Sequence, residues 1–91
     1  MRNQRRKPKL ATYLTVDPKN PLNGKPVGTS LEELQQAVGG LIELVYLPND
    51  QIMVIDEEGL LKNKPLNPEA SVLTMGIIAG DVVIADSKEI D

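Results

Sequence analysis

The chain has 91 residues, no cysteine, no histidine and a net charge of −3. A chain of this length makes one small domain, which buries only about 60% of its unfolded surface and leaves little room for a large enclosed active site. The missing residue types exclude disulfides, thiolate nucleophiles and cysteine-type zinc sites, and they remove the commonest general base and transition-metal ligand.

The charge is unevenly spread. Arg2, Arg5, Arg6, Lys7 and Lys9 place five positive charges in the first nine residues, whereas from Leu10 onward five basic residues face thirteen acidic ones, a formal −8. Residues 1–9, interrupted by Pro8, read as a disordered basic arm. No apolar segment follows it as in a secretory signal, and no run approaches the roughly 18 residues of a membrane span. A cytoplasmic protein without membrane association is expected.

Residues 10–16 are rich in β-formers and predict a first strand, which Asp17-Pro18 breaks. Residues 17–29 hold three prolines, two glycines and two asparagines and predict a long loop, with a short extended piece around Lys25 to Val27. Ser30 and Glu33 fit a capping box, and Leu31, Leu34, Ala37 and Val38 recur at helical spacing, so a two-turn helix is expected to end at Gly39. Residues 41–47 are apolar on both faces apart from Glu43, the pattern of a central or doubly covered strand. Pro48-Asn49-Asp50 turns the chain into a strand over residues 51–56, giving a β-hairpin. Asn67 and Pro68 form a second helix start, with the helix ending near Gly76. Residues 82–85 make the last strand, and residues 87–91 a charged tail. The expected fold is a single α+β domain over residues 10–86, with about four mainly antiparallel strands and two short helices in the order β-α-β-β-α-β.

Gly39-Gly40 raises the question of phosphate binding. A phosphate loop sets its glycines before a helix, where backbone N–H groups and the positive dipole end face the anion. Here the pair follows the helix, at the negative end, so it reads as a left-handed helix stop and an abrupt entry into a strand. Asp56-Glu57-Glu58 is the densest acid cluster. Its spacing matches no calcium loop, and it reads as a solvated turn, with no metal expected. The serines and threonines have no histidine to activate them, so no catalytic residue is assigned.

Three blocks carry a resemblance. Leu31, Leu34, Gln35, Val38, Gly39, Gly40, Ile42 and Glu43 trace L-x-x-L-Q-x-x-V-G-G-x-I-E. Asp56, Glu57, Glu58, Gly59, Leu61, Pro65 and Asn67 trace D-E-E-G-x-L-x-x-x-P-x-N, and Gly80 to Ile84 supply a late G-D-V-V-I. On these, residues 30–85 resemble a family of small uncharacterised proteins of bacteriophages, plasmids and other mobile elements. The resemblance implies such an origin, in a bacterial host, and supplies no reaction, cofactor or catalytic residue.

The expected function is therefore a non-enzymatic protein-binding module docking on a larger nucleic-acid enzyme, a phage replication protein or a host defence nuclease. Glu43, Asp56, Glu57, Glu58 and Asn67 are the candidate partner-binding residues. One alternative is a nucleic-acid accessory protein that binds through Arg2, Arg5, Arg6, Lys7 and Lys9. Another is a nucleotide binder at a homo-oligomer interface built on Val45, Leu47, Met53 and Ile55.

Overall fold

A computed structural model describes residues 10–90. The basic arm expected over residues 1–9 lies outside the described residues. Five strands and two helices follow one another as β1 (Leu10–Leu14), β2 (Pro26–Gly28), α1 (Leu31–Val38), β3 (Ile42–Leu47), β4 (Gln51–Asp56), α2 (Pro68–Thr74) and β5 (Val82–Asp86), with a short 3-10 turn over Ser87–Glu89. One antiparallel sheet takes all five strands in the order β2-β1-β5-β4-β3. The α+β class is thus the observed one.

Strand alternation sorts the side chains into two cores. Ile52, Val54, Val83, Ala85 and Ala11 point to one face, where Leu34 and Val38 of α1 cover them. Met53 and Val82 point to the other face, where Ala70 of α2 and Ile78 cover them. The central strands β4 and β5 are therefore apolar on both faces, as buried strands must be.

Both helix starts are capped at the expected residues, but at α1 the Glu33 carboxylate accepts from the Ser30 hydroxyl and not from the Ser30 backbone N–H that a capping box would use. The hydroxyl of Ser30 accepts from the Glu33 backbone N–H at 3.1 Å and donates to the Glu33 carboxylate at 2.7 Å. Asn67 caps α2 by accepting from the Ala70 backbone N–H at 3.0 Å, with Pro68 following at the first helical position. Gly39 closes α1 in the left-handed conformation, at φ 81°.

Two local expectations are corrected, for β3 and for Leu31, and two are made more specific. The extended piece in the long loop is a true strand, β2, paired with β1 from Leu10↔Gly28 to Thr12↔Pro26. The strand expected to be central or doubly covered, β3, lies at the sheet edge, and its two apolar faces are each only half-buried. Leu31 shares the helical spacing of Leu34 and Val38 yet is 60% exposed, because it stands at the first turn, beyond the reach of the sheet. Residues 87–89 are an ordered turn, in which the Asp86 carboxylate accepts from the Lys88 backbone N–H at 3.0 Å.

Candidate functional site

The three sequence blocks meet at one seam, beside the C-terminus of α1. Asp56 ends β4 on the face that α1 covers. Its carboxylate accepts from the Glu58 backbone N–H at 2.9 Å, from Lys62 Nζ at 2.9 Å and from Lys64 Nζ at 2.6 Å. The same two ammonium groups donate to the last carbonyls of α1: Lys62 to Gly39 O at 3.2 Å, and Lys64 to Val38 O at 2.6 Å. The last turn of α1 carries no basic residue of its own. Its negative dipole end is neutralised by cations that arrive from far along the chain.

Asp56 is therefore enclosed, with its side chain 1% exposed, and the solvated turn expected there is corrected for this residue. Glu57 and Glu58, next along, are exposed. Burial pushes the Asp56 carboxyl up, but hydrogen bonds from Lys64, Lys62 and the Glu58 amide outweigh it and hold the group at about 2, below its ordinary 3.8.

Gly40 is part of this packing. A Cβ at that position would stand 2.6 Å from Lys62 Nζ and 2.8 Å from Asp56 Oδ1. The glycine pair serves the seam: one residue turns the helix off, and the next leaves room for the ion pair. Phosphate has no place here, because both lysines already serve a carboxylate and helix carbonyls.

Asn67 is also internal, at 0% exposure. Besides capping α2, its amide donates to Leu14 O and to Gly80 O, each at 3.0 Å. It ties α2, β1 and the approach to β5 together, and its side chain is closed to an outside partner.

Of the five candidate partner-binding residues, Glu43 and Glu57 come together at the surface. They flank a depression of about 330 Å³ between β3–β4 and the C-terminus of α2, floored by Val45 and Ile55 and walled by Leu60 and Ile77. Glu58 faces a separate depression, shared with Glu32, Gln35 and Leu41. Arg2, Arg5, Arg6, Lys7 and Lys9 lie outside the described residues. Of the apolar set proposed for an oligomer, Val45, Leu47 and Ile55 are half-buried, and Met53 is fully enclosed under α2.

On α2 and just after it, apolar side chains stand in solvent, and of these Ile77 lines the depression. Val72 is 76% exposed, Met75 94% and Ile77 67%. Helix α2 fully buries only Ala70, and its apolar residues Val72 and Leu73 are exposed. The sequence pattern pointed to the acids Glu43 and Glu57 but missed these residues. The available signal was a helix of seven residues carrying Val72 and Leu73 and followed by Met75 and Ile77, more apolar groups than one short helix can bury.

Among the described residues, no group of three or more carboxylates or other ligand side chains is placed to hold a metal, and no helix is long and apolar enough to cross a membrane. The fold and this surface define a small α+β domain with a saturated internal ion pair and an open apolar flank. A family model described as a domain of unknown function, DUF3846, matches residues 11–91, and the chain belongs to that family. No curated protein and no solved structure matches it.

Proposed function

We propose that this chain is a non-enzymatic protein-binding module of a bacteriophage or other mobile element. It acts in the bacterial cytoplasm by docking on a larger nucleic-acid enzyme, a phage replication protein or a host defence nuclease. One observation carries the reading: the exposed Ile77 walls a depression edged by Glu43 and Glu57, and Val72 and Met75, on α2 and at its C-terminal cap, are exposed as well. Exposed apolar surface with a charged rim is the usual composition of a docking site. From Pro26 to Leu61 the chain holds seven acids and no lysine or arginine. That charge suits a basic surface, such as the nucleic-acid path of an enzyme.

The test is capture from nuclease-treated, phage-infected lysate with the full chain and with a Met75→Asp/Ile77→Asp variant. A protein held stoichiometrically by the native chain and lost by the variant is the expected result. Equal retention by both, or retention of nothing, overturns the reading. Material released by nuclease would move the function to nucleic-acid binding through the basic arm.

A further inference from the structure

Strand β3 is an edge strand with its outer side open. It pairs with β4 residue for residue from Ile42↔Asp56 to Leu47↔Gln51, so no bulge twists the edge away. Among the described residues no strand pairs with its outer side. Its sequence, IELVYL, has no proline and no lysine, two of the devices that natural edges use against strand addition. The opposite edge is guarded: β2 has three residues and begins at Pro26.

The hydrogen-bond phase of the ladder fixes which groups are free. The Glu57 N–H donates to Leu41 O just beyond the paired strands. In an antiparallel ladder bonded pairs alternate, so residues 43, 45 and 47 bond inward to β4. The N–H and C=O groups of Ile42, Leu44 and Tyr46 therefore point to the open edge. Tyr46 is 73% exposed on the face toward α1. Glu43 lies on the opposite face, at the depression it shares with Glu57.

We infer that the free edge of β3 is where the partner attaches: it takes up an extended segment of that partner as an added antiparallel strand. The segment alternates apolar residues with lysine or arginine. Its apolar side lies along Ile42, Leu44 and Tyr46, and a basic side chain stands opposite Glu43. Main-chain bonds to Ile42, Leu44 and Tyr46 hold the strand, and the alternating side chains select it. This rests on the reading of the chain as a binding module and names the chemistry of what it binds.

Charge decides between this occupant and a second copy of the chain. Two copies paired about Leu44 would set their Glu43 residues on a diagonal about 7–8 Å apart. Each body would also bring its formal −8, five basic against thirteen acidic residues from Leu10 onward. A basic strand meets neither repulsion.

The experiment uses the full chain labelled with ¹⁵N and two short capped peptides, one alternating valine with lysine, the other valine with glutamate. The lysine peptide is expected to shift the amides of Ile42, Leu44 and Tyr46 saturably and to slow their hydrogen exchange. The glutamate peptide is expected to bind about tenfold or more weakly. Tyr46→Pro removes an edge donor that the β3–β4 ladder does not use; it should abolish the shifts and leave the melting temperature unchanged. Should that variant not fold, a lysine peptide N-methylated at alternate residues makes the same test on the native chain, and loss of binding is expected. Equal affinity for the two peptides, no shift at the three amides, or a free chain that is already a dimer with those amides protected overturns the inference. If the lysate partner is lost by Met75→Asp/Ile77→Asp but kept by Tyr46→Pro, the binding-module reading stands and the edge has no part in it.

Discussion

The seam beside α1 and the flank beside α2 are built on opposite terms. At the seam every polar group is answered: Asp56 meets two ammonium groups and an amide, and those ammonium groups close the end of α1. At the flank, α2 buries Ala70 and leaves Val72, Met75 and Ile77 in water. Both regions contain acids, yet Asp56 at the seam is enclosed, whereas Glu43 and Glu57 at the flank are open to another molecule. A pattern of residues thus says less about function than the degree to which their interactions are already used.

Substitutions should separate the two regions by size of effect. Asn67→Ala should be the most damaging, at about 3 kcal/mol of unfolding free energy in a urea titration, because it removes a helix cap and leaves the Leu14 and Gly80 carbonyls without their donor. Asp56→Asn should cost about 2–3 kcal/mol, since it leaves two ammonium groups without their counter-charge.

The same residue predicts a pH dependence. The Asp56 carboxyl is held at about 2 against its ordinary 3.8. Its contribution is fully present above that ordinary value and is lost as pH falls through the folded one. Acid unfolding of the native chain should therefore show about 2 kcal/mol of stability lost between about pH 4 and pH 2. That slope should be absent from Asp56→Asn; an unchanged slope would mean that the seam is not closed as described.

Gly40→Ala should destabilise by about 1–2 kcal/mol, through the crowding of its Cβ against Asp56 and Lys62. Smallest of all, Met75→Asp should change stability by less than about 0.5 kcal/mol, because the side chain is 94% exposed. A large loss there would show that the flank belongs to the core and not to an interface.

Much of the architecture was legible in the residues. Both helix starts follow from local chemistry, as Ser30 with Glu33 and Asn67 with Pro68 show. The hairpin follows from two apolar runs around Pro48-Asn49-Asp50. What could not be read was distance. Nothing local says that Lys62 and Lys64 cross to α1, so Asp56 looked like one more solvated acid beside Glu57 and Glu58. The edge position of β3 was hidden for a related reason: each of its faces is half-covered by a helix or by the 57–66 segment, so it carries the apolar pattern of an interior strand. The open flank was harder still, because Val72, Met75 and Ile77 are of residue types that sequence reasoning assigns to a core.

The order of the sheet has a consequence for how the molecule is made. The central strand, β5, is the last to be synthesised, and it joins β1 on one side to β4 on the other. Until residues 82–86 have left the ribosome, the β1–β2 pair and the β3–β4 hairpin are separate pieces with no backbone bonds between them. Each of β1 and β4 then shows an unpaired side. Closure of the sheet is a single late event that depends on contacts distant in sequence, the kind that form slowly. A nascent chain stalled before β5 would hold two unsatisfied strand edges in the crowded cell, where mispairing and proteolysis compete with completion.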